Sequence, residues 1–302
     1  MRQKRLGSWK DIMAAIELSQ KDKIESLRKR YGHETASHAF ASLFAWQKDM
    51  GLSLFLSEEL FAVKSKWKGE NAWFFPCGSE SAKRNFITEH IDEPHFRLCY
   101  MRQEDVDFSD TFFKGKFRFT ENLCDHEYLY DRKEQTDLAG KRFSSMRKSC
   151  AQVMRVHKLN YEILSVQRLS SVMEVVDAWA QKVHKNGEGG LQDEFATKSL
   201  LNAANELDIL GVLVYVDGVA SAIYGGYGIS ENVFDLSIAK QKDNLPGLSV
   251  FGRRELLRSL PPQYIYVNGE EDLGLEGLRT LKQLMRPVRI KLMFEGEVNI
   301  HE

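Results

Sequence analysis

The chain has 302 residues, of which 43% are hydrophobic and 28% are charged. This balance is typical of a globular protein and excludes a disordered one, and the length fits about two domains. Because the net charge is −1, overall charge cannot drive binding to nucleic acid or membrane, and no DNA partner is expected.

Targeting and metal-binding segments are not expected either. The first ten residues are basic, but the apolar segment of a signal peptide does not follow them. The longest apolar run, 209–216, is too short for a bilayer, which takes about 20 residues. The four cysteines are far apart, without zinc-site spacing, which indicates reduced thiols and no metal. We therefore expect a soluble, cytoplasmic protein without a transmembrane segment.

The first half of the chain alternates between helical and strand-like patterns. In chain order they predict a weak strand at 12–18, helices at 21–30 and 34–46, strands at 52–56, 60–64 and 72–75, a helix at 79–90, a strand at 95–100, a helix at 104–112 and a strand at 116–119.

The second half repeats this order more clearly. It predicts a strand at 161–166, helices at 169–184 and 195–207, strands at 209–216, 219–227 and 233–239, a helix at 248–260, a strand at 264–267, a helix at 276–285 and a strand at 288–294. Asp217-Gly218 between two apolar runs is a strong hairpin signal, so three of these strands form an antiparallel meander.

The repeated order predicts an α/β protein of two similar modules, each with a mixed, mostly antiparallel sheet flanked by helices. We place the modules at 1–134 and 159–302, joined by a basic bridging helix at 135–158. A meander followed by a crossover helix and a further strand is the element order of the GNAT acyltransferase fold.

Residues 268–282 read Asn-Gly-Glu-Glu-Asp-Leu-Gly-Leu-Glu-Gly-Leu-Arg-Thr-Leu-Lys. This segment resembles the N-x-E-x-D-L-G-x-x-G-L-R-x-x-K motif of the phosphatidylglycerol lysyltransferase C-terminal domain family. Residues 127–130 and 138–143 are similar to two further segments of that family, and the resemblance covers essentially the whole chain. One departure is at 146–148, where the family has Lys-Arg-Asn and this chain has Met-Arg-Lys.

The resemblance implies two tandem GNAT-like modules and an acyltransferase that needs no further cofactor. Well-studied members transfer an amino acid from aminoacyl-tRNA to a hydroxyl group of a membrane lipid. For this chain the donor would be aminoacyl-tRNA or acyl-CoA, and the acceptor an amine or hydroxyl of a small molecule or lipid. Two alternatives stay open: an acetyl-CoA-dependent N-acetyltransferase and a non-catalytic module that binds tRNA or another anion. The oligomeric state is not predicted.

The motif supplies the candidate catalytic residues, Glu270 and Asp272, which follow a strand at the carboxyl edge of a sheet. Two neighbouring carboxylates there can act as a base or hold an ammonium group, or they can cap the next helix. Asn268, Arg279 and Lys282 are candidate substrate-binding residues. Arg279 and Lys282 share a helix face and could hold a phosphate, or they could form salt bridges with Glu270 or Asp272.

Two other groups are candidates on the basis of position and charge. Lys240 and Lys242, with the main chain at Gly247 and Leu248, flank the turn that binds the CoA pyrophosphate in GNAT enzymes, although Pro246 removes an N–H donor. Arg142 and Arg147 on the bridge are candidates for an acidic ligand in the cleft between modules, or they form part of a basic surface.

Overall fold

The computed structural model describes residues 13–66, 71–185 and 193–299. The chain forms two compact units, Met1–Asp125 with Leu292–Glu302, and His126–Lys291. Each unit contains one mixed, mostly antiparallel sheet flanked by helices, so the predicted α/β fold class is confirmed. Within the described ranges, no helix is both long and apolar enough to cross a membrane.

The first unit is built around a seven-stranded sheet. Its elements are α1 (Lys21–Arg30), α2 (Phe40–Trp46), β1 (Ser53–Leu56), β2 (Leu60–Ser65), β3 (Ala72–Phe74), β4 (Cys77–Gly78), α3 (Glu80–His90), β5 (Arg97–Met101), α4 (Gln103–Phe112), β6 (Phe117–Glu121) and, from the end of the chain, the strand Phe294–Val298. The strand order is β1-β2-β3-β5, then Phe294–Val298, then β6, with β4 paired to β2. Aromatic side chains such as Trp73 and Phe86, in edge-to-face contact at 5.0 Å between ring centroids, fill its core.

The second unit also has a seven-stranded sheet. Its elements are β7 (Glu127–Asp131), α5 (Arg132–Asp137), α6 (Ser144–Val156), β8 (Leu159–Ile163), α7 (Leu169–Lys185), α8 (Glu194–Asn202), β9 (Leu210–Val216), β10 (Val219–Gly228), β11 (Val233–Gln241), α9 (Leu248–Ser259), β12 (Tyr266–Asn268), α10 (Glu276–Leu284) and β13 (Arg289–Lys291). The strand order is β13-β7-β12-β11-β10-β9-β8, and only β11 and β12 are parallel.

The predicted meander is confirmed as β9, β10 and β11. Asp217 and Gly218 connect the first two strands with φ angles of 51° and 85°, the left-handed conformation that a two-residue hairpin turn requires. Apolar residues on both faces of the meander are buried, among them Val212, Ile223 and Phe234. Val212 and Phe234 belong to the main hydrophobic cluster of the unit.

The chain ends differ from the predicted pattern. The segment predicted as a weak strand at 12–18 makes a single bridge, Ala14 with Leu54. The predicted closing strand at 288–294 is divided into β13, which pairs with β7, and a final strand, β14 (Phe294–Val298), which lies between β5 and β6 of the first unit. The units therefore have limits different from the predicted modules, because β7 and β14 each join the sheet of the other half of the sequence.

The segment 135–158 is not one continuous helix. It contains the end of α5, a 3₁₀ turn at Lys141–Phe143 and α6, all within the second unit. Leu138 and Gly140 interrupt the helical path with φ angles of 50° and 80°. Left-handed residues at this position end a helix, which explains the break.

Candidate functional site

The sheet of the second unit opens where β11 and β12 separate. The two strands pair over only three positions, of which the last joins Asp235 to Asn268. β11 then continues to Gln241, whereas the chain after Asn268 enters a loop, and no described strand pairs with the rest of that edge of β11. The opening therefore lies at the carboxyl end of β12, the position where open α/β sheets bind ligands.

Two carboxyl groups meet at this opening, those of Asp235 and Glu270. Asp235 has no exposed surface, and neither of its oxygens has an N–H donor among the described residues. Burial raises its pKa well above the ordinary value, and the negative charges of Glu270 and Glu127 raise it further. Burial also raises the pKa of Glu270, but the positive charge of Lys282 opposes this effect. The pKa of Asp235 is raised the more strongly, so Asp235 is the member of the pair that holds its proton and Glu270 is the member that ionises first.

The main chain holds Glu270 in an unusual conformation. Its φ angle is 58°, in the left-handed region that non-glycine residues rarely adopt. The Glu270 main-chain N–H donates to Asn268 Oδ1 at 2.8 Å, and Asn268 Nδ2 donates to Glu127 Oε2 at 2.6 Å. Asn268 is completely buried, so this network fixes the turn that directs Glu270. Such local strain is common at functional sites.

Asp272 anchors the loop that follows Glu270. Its oxygens accept four hydrogen bonds: from Tyr128 Oη (2.6 Å), from Arg279 Nε (2.7 Å) and Nη2 (2.9 Å), and from the Gly274 main-chain N–H (2.9 Å). Burial acts to raise the pKa of Asp272, but these donors outweigh it and lower the pKa. This carboxylate is therefore held ionised with its lone pairs in use, an arrangement that suits a positioning group better than a base.

Lys282 holds the start of the same loop, at Gly269. Its Nζ donates to the Gly269 main-chain oxygen and lies 5.8 Å from the Tyr128 ring centroid. The side chain is 6% exposed, and burial lowers its pKa although the charges of Glu270 and Glu271 oppose that shift. Arg279 and Lys282 thus point towards the loop, which agrees with the salt-bridge alternative for Arg279.

The predicted CoA turn is not an open phosphate cradle. Lys240 forms an ion pair with Asp193 and lies 4.3 Å from the Trp179 ring centroid. Gly247 has a φ of 90°, and a Cβ there would lie 2.2 Å from the main-chain oxygen of Ser149. Leu248 is buried in the core, and its main-chain N–H donates to the carbonyl oxygen of residue 245 at 3.1 Å. The Gly247 main chain thus packs against Ser149 and the Leu248 N–H already has an acceptor, so neither is available to a pyrophosphate.

Lys242 lies in a different environment from Lys240. It lines a cleft of about 420 Å³ together with Lys182 and Lys185 from the end of α7. Asp243, with Ala178 and Gln181, completes the lining. Three lysines around one cleft favour an anion there, and Asp243 opposes it.

The two bridge arginines contact their own segment. Arg142 pairs with Glu134 and lies 5.0 Å from the Phe143 ring centroid. Arg147 donates to the main-chain oxygens of Leu138 and, at 2.7 Å, Gly140. These contacts hold the break between α5 and α6, so they give both residues a structural role.

Sequence reasoning did not find Asp235, Glu127 or Tyr128 as site residues. The sequence does contain a signal for Asp235, because it is an acidic residue between Phe234 and Leu236 in an otherwise apolar strand. Burying a carboxyl group costs free energy, so such a position indicates a specific role. Glu127 and Tyr128 reach the site through strand pairing with β12 and β13. In the described part of the chain, no group of three His, Cys, Asp or Glu side chains is arranged to hold a metal ion.

The family model described as phosphatidylglycerol lysyltransferase, C-terminal, matches residues 28–293. The chain belongs to this family. Solved structures of lysylphosphatidylglycerol synthetases support the assignment at the level of fold. The C-terminal domain of a putative synthetase from Agrobacterium fabrum has 13% identity and a TM-score of 0.65, covering 93% of this chain and 91% of that one. The L-PGS structure from Bacillus licheniformis has 15% identity and a TM-score of 0.63, covering 96% and 94%.

A further structure is similar along nearly the whole length of this lysyltransferase-family chain. It is a conserved protein of unknown function from Bacteroides thetaiotaomicron, with 22% identity and a TM-score of 0.87, and it covers 95% of this chain and 99% of that one. No curated protein sequence matches the chain. The comparisons therefore establish the family and an acyltransferase-like fold.

Proposed function

We propose that the second unit transfers an aminoacyl group from an activated donor to a hydroxyl or amine acceptor, with Glu270 as the base. The observation that carries this proposal is the pair formed by Asp235 and Glu270 at the opening between β11 and β12. The motif that contains Glu270 belongs to the matched region of the lysyltransferase family, which supports the same reaction class.

The transfer needs one proton acceptor and little other chemistry, because the donor ester or thioester is already activated. The acceptor O–H or N–H attacks the donor carbonyl carbon, and Glu270 takes its proton as the new bond forms. The tetrahedral intermediate then expels the donor oxygen or sulfur, which receives a proton from Glu270. A carboxylate whose pKa is raised by burial is a stronger base than an exposed one, and protonated Asp235 can donate a hydrogen bond to it.

The surrounding charge favours an aminoacyl donor over acetyl-CoA. Glu270 and Glu127 lie close enough to Asp235 to affect its pKa, so both bring negative charge to the opening. An ammonium group on the acyl moiety would be attracted there, whereas the phosphates of CoA would be repelled. The packed turn at Gly247 also argues against a CoA pyrophosphate.

The free edge of β11 offers a means of holding the donor. After Asp235, the main-chain groups on that side face no described strand, and Ser237 Oγ and Gln241 Oε1 are buried without a hydrogen-bond partner in the described residues. The ammonium and carbonyl groups of an aminoacyl donor can form hydrogen bonds with such an edge, as an added peptide strand does.

A second candidate function, anion binding without catalysis, has one observation in its favour, the cleft lined by Lys182, Lys185 and Lys242. That cleft would hold phosphates of tRNA or another polyanion. It is compatible with the transferase, since an aminoacyl-tRNA donor needs such a contact. The cytoplasmic location remains a prediction.

Thermal-shift measurements with CoA, acetyl-CoA, uncharged tRNA and a mixture of charged tRNAs separate these functions. A ligand at about 100 times its dissociation constant stabilises the protein by about 2.7 kcal/mol. We expect a shift with charged tRNA, together with transfer of labelled amino acid to an acceptor in a phospholipid extract. A shift with acetyl-CoA alone would replace this proposal by N-acetyl transfer, and equal shifts with both tRNA samples without any transfer would leave only anion binding.

A further inference from the structure

The sheet of the second unit ends at β8, and the outer edge of this strand is unpaired. In the strand order β8 has β9 on one side, and no described strand lies on the other. The pairing with β9 runs over all residues of β8 without a bulge. An unpaired edge presents a row of main-chain N–H and C=O groups, which is a template for another strand.

The hydrogen bonds to β9 determine which residues of β8 direct their main chain outward. The Lys158 oxygen accepts from the Asp217 N–H at 2.9 Å, and the Leu164 N–H donates to the Gly211 oxygen at 2.8 Å. Because bonded residues alternate along an antiparallel strand, the even-numbered residues between these two also bond to β9. The N–H and C=O groups of three residues therefore face away from the sheet: Leu159, Tyr161 and Ile163.

β8 lacks the features that usually protect a sheet edge. Proteins block such edges with proline, with lysine, with a bulge or with a very short strand. The five residues of β8 include no proline, no lysine and no bulge, and the Ile163 side chain is 56% exposed. At the opposite end of the same sheet, β13 has three residues, two of which are basic. The edge at β8 is therefore open to pairing, whereas the edge at β13 is protected.

The sequence of β8 complements a second β8 that lies antiparallel to it about Tyr161. In this register Tyr161 lies opposite Tyr161 of the second copy, and Leu159 lies opposite Ile163. All three outward residues are then paired, and each pair exchanges two main-chain hydrogen bonds. Leu159 and Ile163 lie on the same face of the strand, so the pairs at both ends are apolar and cover the exposed Ile163.

The other face of the strand is complementary in charge. In the same register Asn160 lies directly opposite Glu162 of the second copy, and the exposed Lys158 lies diagonal to it. Tyr215, at 2.9 Å, and Arg168, at 3.0 Å, hold the Glu162 carboxylate from within its own copy. An amide opposite a carboxylate and an ammonium group diagonal to it are favourable cross-strand neighbours. A twofold axis produces each of these contacts twice.

We propose that two copies of the chain form a twofold dimer through antiparallel pairing of their β8 strands. The pairing joins the seven-stranded sheets of the two second units into one continuous sheet. A strand of another protein is a less suitable occupant, because β8 itself supplies the apolar contacts and the opposite charges in a single register. β8 is three strands away from β11, about 14 Å, so the dimer does not depend on the proposed function at Asp235 and Glu270.

Sedimentation equilibrium of the full chain at a series of concentrations tests the proposal. We expect the apparent mass to rise from the 34.8 kDa of one chain towards twice that value, with a dissociation constant in the micromolar range because the interface is small. Ile163→Lys should raise this constant at least about tenfold, since it places a charge opposite Leu159 at both ends of the pairing. Ile265→Lys is the matched control, because Ile265 is 52% exposed on the same unit but lies next to β12, and it should dimerise like the unmodified chain.

Two charge variants test the register. Lys158→Glu brings like charges together at both diagonal contacts, and so does Glu162→Lys, so each variant alone should dimerise at least about tenfold more weakly. An equimolar mixture of the two should regain the dimer, because every diagonal contact between unlike copies then joins one acid to one lysine. Circular dichroism of each variant shows that the chain is folded.

A chain that stays monomeric throughout the concentration series would overturn the proposal and leave the edge to a strand of another protein. A dimer that Ile163→Lys leaves intact would place the contact elsewhere on the chain. A mixture of the two charge variants that dimerises no better than either variant alone would contradict the register about Tyr161.

Discussion

Replacing Arg279 by methionine is expected to lower the free energy of unfolding by about 2–3 kcal/mol. The substitution removes two charge-assisted hydrogen bonds to Asp272, at 2.7 and 2.9 Å, each worth about 1.5–3 kcal/mol. It leaves a fully buried carboxylate with only Tyr128 and Gly274 as donors. The expected loss is below the sum of the two bonds because the Arg279 side chain is 35% exposed and its pairing is screened by water.

The same substitution should change the pH dependence of stability. In the unmodified protein the pKa of Asp272 is below its ordinary value, so its contribution is present at neutral pH and is lost only as the pH falls through the folded pKa. Without Arg279, burial should raise the pKa of Asp272, so that the buried carboxylate takes up a proton as the pH falls. The difference in stability between Arg279→Met and the unmodified protein should therefore become smaller from pH 7 to pH 5. Urea unfolding followed by circular dichroism at both pH values measures this. Arg289→Met, at an exposed arginine, is the control, and a loss below about 0.5 kcal/mol for Arg279→Met would refute the account of the loop.

Two further predictions concern other parts of the molecule. Gly226→Ala should lower the free energy of unfolding by more than about 3 kcal/mol or prevent folding, because its Cβ would lie 1.8 Å from the main-chain oxygen of Asp235. Gly277→Ala should instead stabilise the helix by about 0.5–1 kcal/mol, because a Cβ there meets nothing within 4 Å. Equal melting temperatures for the two variants would contradict this prediction. In the first unit, burial and then the charge of Glu295 raise the pKa of Asp125 to about 7, so stability should fall as the pH rises from about 4 to about 7. Asp125→Asn should flatten that slope in denaturation measurements, and an unchanged slope would show that Asp125 is not its source.

Much of the second unit could be predicted because its signals are local. Asp217-Gly218 determines a hairpin by its own conformational preference, and the alternating apolar runs on both sides give the strands. The loop at 268–282 could be recognised because its residues are contiguous. The pairing of Arg279 with Asp272 was among the alternatives, since the two residues are separated by the length of one loop and one helical turn.

The remainder depends on contacts between distant parts of the chain. Tyr128 reaches Asp272 across 144 residues, and Glu127 reaches Asn268 across 141, because β7 pairs with β12. Strands were predicted at 264–267 and 288–294, but β12 and β13 have only three residues each, too few for a periodic pattern to give their bounds or their partners. The exposure of Leu281 and Leu284 also follows from tertiary contacts, because Arg279 and Lys282 take the inner face of α10.

The most direct test of the proposed site is the initial rate of labelled-amino-acid transfer from charged tRNA by Glu270→Gln, Asp235→Asn and Glu276→Gln. Glu276 is an exposed carboxylate at the start of α10 and serves as the control. We predict that Glu270→Gln lowers the rate at least about 100-fold, the contribution of a general base, and that Glu276→Gln leaves it unchanged. Asp235→Asn should retain most of the rate, because its amide still donates a hydrogen bond to Glu270. An unmodified rate for Glu270→Gln would contradict the assignment of the base.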